Sequence, residues 1–522
     1  MTSTYAKFWA PAARPRNWSS RRNNPLMARA QVTYSFARDK GIVVIPGRSD
    51  LTFAVREGAD PAALLEARRV TGLPVHLEAM NSAQYERQLS ESFGQGRLDG
   101  SAAEAAAGTG GDLESLFDGL PQTEDLLAGD TEAPIITLIN GLLQDAIRRR
   151  ASDIHIDPFE DKMSVRYRID GELQEVFTAS RRVAAPLVSR IKVMSRLDIA
   201  EKRMPQDGRI SLTLGGRALD VRVATLPTRY GERVALRILD TKQALLGLET
   251  LGMDENTEKR FRTALSEPNG VILVTGPTGS GKTTTLYSAL AQLNTGRVNI
   301  MTLEDPVEYG LDGISQTPMD HKVGLTFAAT LRSILRNDPN IVMVGEIRDA
   351  ETAEVALEFA LTGRLALSTI HTNSSAGAIT RLRDMGVESF LLASTMRAIL
   401  AQRLVRRLCV HCKEAYAPPP ALLERLGLED RADLTLYRPV GCASCGQTGY
   451  EGRLGVYELL LVDTAIRRMI HEGATEEQIE RSAFAKSDML FQNGLRHVLS
   501  GDSSAEELLH VCRREAWFGG SV

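Results

Sequence analysis

The chain has 522 residues, a net charge of −4 and 25% charged side chains. Such a length predicts two to four domains with ample core, and the near balance of charge argues against a protein built around nucleic acid. No apolar run reaches the roughly 18 residues that a membrane-spanning helix needs, which predicts a soluble protein.

Residues 1–30 carry six basic residues and no acid. This composition reads as a disordered tail or an over-long start, with a weak anchor on anionic lipid as the alternative. Residues 31–92 read as a small mixed domain. Gly41 to Ile45 and Leu51 to Val55 are strand-like, and Pro61 to Thr71 is helix-like, with Gly72 just past its end. Residues 93–133 are rich in Gly, Ala and Ser and then in acids, with seven acids and no base in 111–132. They read as a flexible linker with one short helical turn near Leu113–Phe117.

From residue 134 the pattern tightens. Ile135 to Arg150 is amphipathic at helical spacing. Four alternating segments follow, at 153–156, 164–169, 217–223 and 233–239, and predict a half-buried sheet. This second, α+β domain is expected to end near Leu245. Beyond it, strands and helices alternate, which predicts a parallel sheet with crossover helices.

Val271 to Thr275 suits a buried strand, and Gly276-Pro277-Thr278-Gly279-Ser280-Gly281-Lys282-Thr283-Thr284 follows at once. Strand, glycine-rich loop and helix stand in the order of a phosphate-binding loop for ATP. The glycines let backbone N–H groups converge on phosphate oxygens, Lys282 reaches the β- and γ-phosphates, and the Thr283 hydroxyl ligates Mg²⁺. Three further apolar runs end in polar residues. The run 299–303 leads to Glu304, Asp305 and Glu308, the run 341–345 to Glu346, and the run 365–370 to His371. Ligands of open α/β sheets bind beyond the carboxyl ends of the strands. Glu346 is therefore expected to orient or deprotonate the attacking water, and His371 to sense the γ-phosphate. Gly345 stands where the usual Mg²⁺-binding Asp would be, so Glu304 or Glu346 is expected to act on the ion through water.

Cys409-Val-His-Cys412 and Cys442-Ala-Ser-Cys445 are separated by 29 residues. Two such pairs predict a closed tetrahedral Zn²⁺ site, with a redox pair as the alternative. Cys512 reads as a small buried apolar residue.

Glu304-Asp-Pro-Val-Glu308-Tyr309, Gly345-Glu-Ile-Arg-Asp349 and Ser368-Thr-Ile-His-Thr-Asn373 resemble the aspartate box, Walker B strand and histidine box of the type II/type IV secretion-type hexameric ATPases. Ala151 to Ile156 and Val165 to Gly171 resemble the domain preceding their motor. Together these segments span about residues 134–460. Among the branches, type II secretion is nearest and pilus assembly is the rival; retraction motors lack the cysteine pairs. The resemblance implies a RecA-like motor over 246–522, with a zinc subdomain near 405–450. It also implies a PAS-like domain over 134–245, whose Arg166, Arg168, Arg222 and Arg237 reach the nucleotide. A homohexamer is implied as well, cytoplasmic and peripheral to the inner membrane. Its implied partners are a bitopic platform protein, met by residues 31–92, and a polytopic core protein, with no nucleic acid. One departure is Arg364, where family members often carry His.

Overall fold

The computed structural model describes residues 132–512, apart from 215–216, 240–245, 320–325, 432 and 486–488, together with parts of 37–85. The basic tail, the acidic linker up to 131 with its expected turn, the segment 240–245 and most of the expected helix 61–71 lie outside the described residues. Only Ala63 and Leu64 of that helix are described, and both are helical.

The first sheet joins β1 (Ile42–Pro46), β2 (Leu51–Arg56) and β3 (Val75–Met80). β1 runs antiparallel to β2, and β3 runs parallel to it. The sequence pattern shows two of these strands and misses β3.

Helix α1 (Glu132–Arg148) leads into a six-stranded sheet. Its strands are β4 (Ala151–Pro158), β5 (Lys162–Ile169) and β6 (Glu172–Ser180), then, after helix α2 (Ala184–Met194), β7 (Gln206–Leu214), β8 (Arg217–Thr228) and β9 (Gly231–Leu239). Their order is β6-β5-β4-β9-β8-β7, antiparallel throughout. Period-two alternation sorts the side chains. Ile154, Ile156, Val165, Tyr167, Val221, Val223, Val234 and Leu236 bury against α1 and α2. Asp153, Asp157, Arg166, Arg168, Arg222 and Arg237, one position out of phase, face the other way. β6 and β7 escape sequence reading because their burial is weak: β6 has no fully buried residue.

Helix α3 (Glu255–Leu265) opens the last unit. Its strands are β10 (Gly270–Thr275), β11 (Ile300–Glu304), β12 (Ser315–Pro318), β13 (Ile341–Val344), β14 (Leu365–Ile370) and β15 (Met396–Leu408). Helices α4 (Lys282–Leu293), α5 (Phe327–Ile334), α6 (Ala350–Leu361), α7 (Ser375–Asp384) and α8 (Ser389–Thr395) connect them. β16 (Glu414–Tyr416), helix α9 (Pro420–Leu426) and β17 (Leu436–Arg438) then form a small outgrowth. β18 (Tyr450–Leu461) returns the chain to the main sheet, whose order is β12-β11-β13-β14-β10-β15-β18. Every neighbouring pair is parallel except β15 with β18. This long antiparallel pair departs from the parallel sheet that the sequence predicts.

β10, β13 and β14 are buried along their whole length, as parallel strands covered on both faces must be. Successive residues feed two cores. Val271 and Leu273 join Val342, Val344 and the helices α5 to α8 on one face. Ile272 and Val274 join Ile341, Met343, α3 and α4 on the other. Parallel pairing with Thr275 beside Ile370, and Leu303 beside Val344, brings the carboxyl ends of β10, β11, β13 and β14 to one edge. Among the described residues no helix is long and apolar enough to cross a membrane.

Candidate nucleotide site and four-cysteine cluster

The glycine-rich loop leaves β10 at that edge. Gly276 has φ +147°, and a Cβ there would stand 2.5 Å from the Gln402 carbonyl oxygen. Gly281 has φ +88° and caps α4 in the left-handed region. Both conformations and the close approach require glycine. The Lys282 ammonium donates to the carbonyls of Gly276 and Pro277 at 2.8 and 3.0 Å. Burial pulls its pKa down to about 8, with Glu346 opposing and Arg403 adding to the shift. The buried Ser280 Oγ has no protein partner, and the Thr283 side chain is exposed. A loop with an orphaned hydroxyl, an exposed threonine and a helix N-terminus fits phosphate and its Mg²⁺.

The neighbouring strand ends close around it. Thr275 Oγ1 lies 2.7 Å from Thr372 Oγ1 and accepts the Thr372 N–H at 2.9 Å, tying the loop to the segment after His371. Glu346 is 22% exposed, with one carboxylate oxygen 3.1 Å from His371 Nε2 and the other 2.9 Å from Arg348 Nε. His371 itself is 44% exposed. A Cβ on Gly345 would come within 3.2 Å of the Leu303 carbonyl and 3.4 Å of Glu304 Cα. The crowding of β11 against β13 thus disfavours the aspartate that is usual there.

The acidic residues after β11 lie differently. Glu304 is 3% exposed and accepts from Thr302 Oγ1 at 2.5 Å, from Gln316 Nε2 at 3.2 Å and from the Tyr287 hydroxyl. Burial, together with this carboxylate, pushes the Tyr287 phenol up. Both Glu304 oxygens are therefore engaged by protein donors. Glu308 instead meets Arg222 of the six-stranded sheet at 3.0 Å.

The four arginines share one sheet face but not one partner. Arg222 donates to the Val307 carbonyl at 2.9 Å as well as pairing with Glu308. Arg166 pairs with Asp157 at 2.9 Å, Arg237 with Asp153 at 2.9 Å, and Arg168 lies 3.8 Å from Asp153. Arg364 pairs with Asp338 at 3.0 Å.

Sequence reading misses Gln402, in the middle of β15 and 1% exposed. Its amide donates to the Ser280 carbonyl at 2.5 Å and accepts from Thr285 Oγ1 at 2.8 Å. The available signal is a glutamine directly after the apolar run Ala398 to Ala401. Arg403 beside it reaches the Asn373 carbonyl at 2.8 Å.

Cys409, at the end of β15, gathers with Cys412, Cys442 and Cys445, and all four sulfurs lie within 4.8 Å of one another. Three of the separations are 3.9, 3.8 and 3.7 Å. Bonds of about 2.3 Å in a tetrahedron place sulfurs about 3.8 Å apart, so the cluster fits one metal ion held by four thiolates. Burial works against ionisation of Cys445, but the backbone N–H groups of Cys442 and Gly449 outweigh it and bring the thiol down. Cys512 is buried in a separate apolar cluster.

A covered, mostly parallel sheet with a phosphate loop after an interior strand is the RecA-like fold of P-loop ATPases. The family described as Type II/IV secretion system protein matches residues 128–510, and a second family, described as a domain of GSPII protein E, matches residues 31–93. The chain is 48% identical over 518 residues to the type II secretion system protein E of Pseudomonas aeruginosa, covering 99% of this chain and 100% of that protein. It is 48% identical over 455 residues to the type II secretion system ATPase E of Vibrio cholerae, covering 86% and 90%. Among solved structures, the Legionella pneumophila ATPase DotB is similar with a TM-score of 0.54 and 22% identity, covering 71% of this chain and 94% of that one. The chain belongs to the type II/IV secretion system protein family.

Proposed function

We propose that this chain is the ATP-hydrolysing motor of a type II secretion system, driving pseudopilus assembly and, through it, protein secretion across the outer membrane. The observation that carries the reading is the shared sheet edge, where the phosphate loop, Glu346 and His371 converge. Relatives named for type II secretion along nearly the whole chain support the coupling to secretion.

In this reading the loop N–H groups of 276–284 and Lys282 hold the phosphates of ATP. Thr283 holds Mg²⁺, which when bound neutralises charge on the phosphates. Glu346, kept in orientation by His371 and Arg348, places the attacking water. Glu304, enclosed by Tyr287, Thr302 and Gln316, fixes the loop that carries Glu308. The face bearing Arg166, Arg168, Arg222 and Arg237 meets nucleotide within a homohexameric ring, where arginine stabilises charge on the transferring phosphoryl group. Zinc is the metal of the four-cysteine cluster; four thiolates leave no open position, so its role is structural.

Residues 31–92 dock onto the cytoplasmic part of a bitopic inner-membrane platform protein. A linker that ends before helix α1 gives them reach, the domain from α1 to about 245 supplies the arginines, and the motor over 246–522 works on a polytopic core protein. The protein is thus cytoplasmic and held at the inner membrane by its partners.

ATP turnover by the full chain tests the motor. Lys282→Ala and Glu346→Gln should each lower it by roughly a hundredfold or more, and near-normal turnover in both overturns the reading. Restoration of secretion in a strain lacking its own type II motor, by the wild type but not by Glu346→Gln, tests the coupling.

A further inference from the structure

We infer that Gln402 is the positioning residue of the phosphate loop, tying the middle of the loop and the first turn of the helix after it to strand β15 so that its N–H groups converge on the nucleotide. The inference rests on the reading of 276–284 as a nucleotide site and adds a residue outside that motif.

A glycine-rich loop has a large conformational freedom to lose, and binding is tighter when something else has already removed it. Within the loop itself Lys282 ties only the Gly276 and Pro277 carbonyls, while the glycines have no side chains and the buried Ser280 hydroxyl has no partner. Gln402 supplies the restraint from behind. Its carboxamide spans two points that are five residues apart, donating to the Ser280 carbonyl inside the loop and accepting from Thr285 in the first turn of α4. Its own backbone closes the third side. A Cβ at Gly276 would collide with the Gln402 carbonyl, and one at Gly281 would stand 3.1 Å from Gln402 Nε2. The start, middle and end of the loop therefore all rest on one residue.

The platform is built into the main sheet. β15 pairs with β10 as far as Ala401, and Gln402 itself pairs with Tyr457 of β18. The next residue, Arg403, donates to the Asn373 carbonyl, so the same two residues of β15 brace the loop and the segment after His371. A buried glutamine that only satisfied its surroundings would fit this environment less specifically. Both ends of this side chain are committed to atoms of the nucleotide site, 122 and 117 residues away in sequence.

The test is nucleotide affinity, read with a fluorescent ATP analogue, beside kcat, KM and melting temperature of the full-length protein. Gln402→Leu conserves volume but strands Ser280 O and Thr285 Oγ1. It should weaken nucleotide binding and raise KM by roughly tenfold, while kcat stays within about twofold. Gln402→Glu sets an acceptor against the Ser280 carbonyl and should weaken binding at least as much. Thr285→Val should give a smaller effect of the same sign, and combined with Gln402→Leu it should add nothing further, because both remove one bridge. Unchanged affinity in the Leu and Glu variants, with only a lower melting temperature, overturns the inference. So does full additivity of Thr285→Val with Gln402→Leu. Should Gln402→Leu fail to fold, Gln402→Glu and Thr285→Val decide by affinity alone. Because affinity is read without turnover, a wild type that binds ATP but does not hydrolyse it refutes the motor and leaves this comparison intact.

Discussion

Lys282 is held between opposing influences: burial favours its neutral form, Glu346 favours the charged one, and the balance sets its pKa at about 8. Only the ammonium attracts phosphate, so binding weakens as pH rises through that value. Bound phosphates retain the proton, and nucleotide affinity is expected to fall by roughly tenfold between pH 7 and pH 9. Lys282→Arg keeps its charge throughout and should flatten the profile; fluorescence titrations at a series of pH values measure both. At this scale the loop's turn was legible, because the glycines that allow it stand at fixed spacing between a strand and a helix. Glu304 was not. Nothing local distinguishes it from Glu346 as a carboxylate at a strand end, yet one is enclosed by Tyr287 and Gln316 and the other faces His371.

Among elements, β15 and β18 carry more than their share. The middle of the pair braces the phosphate loop, and at one end Leu408 pairs with Tyr450 and Cys409 takes its place in the four-cysteine cluster. The Cys409 N–H also bonds the Gly449 carbonyl at 2.9 Å, continuing the ladder into the cluster. Small metal-bound units fold with their metal. Prolonged chelation, or Cys445→Ser, should therefore speed amide exchange over 409–450 while leaving the Ala398 to Gln402 stretch of β15 slow. Exchange followed by mass spectrometry, with elemental analysis for zinc, checks this. Slow exchange throughout a metal-free sample would contradict it. The runs forming β10 and β13 were legible as nearly continuous apolar segments, and β14 as one broken only by Ser368 and Thr369. β15 was not, because Gln402, Arg403 and Arg406 break its pattern for reasons that lie on other elements.

Among the described residues, the six-stranded sheet meets the motor near Val307 and again near Gly452. Arg209 and Arg222 donate to the Val307 carbonyl at 3.1 and 2.9 Å, and Arg222 also pairs with Glu308. Away from the nucleotide edge, Asp170 accepts the Gly452 N–H at 2.8 Å, and Glu172 pairs with Arg406 at 2.7 Å. Arg406 in turn binds Glu507 and lies over the Tyr450 ring. Arg222 is 18% exposed, so removing it leaves Glu308 poorly compensated. Arg222→Ala should cost about 1–3 kcal/mol of docking at this contact. Faster amide exchange over 304–310 and a several-fold loss of ATPase activity are expected, and unchanged exchange would refute the contact.

The chain alone determined the phosphate loop, the three further buried strands whose ends lie at its edge of the sheet, the cysteine pairs and the charged alternation of the six-stranded sheet. Each is a pattern of near neighbours, set by backbone conformation, by burial on both faces of a sheet, or by the reach of two thiols in one knuckle. Tertiary structure decided which carboxylate faces the site, that Arg222 rather than Arg166, Arg168 or Arg237 touches Glu308, and that Gln402 braces the loop. Those outcomes depend on contacts between residues 12 to 122 positions apart, and such a contact leaves no periodicity in either of the segments that make it.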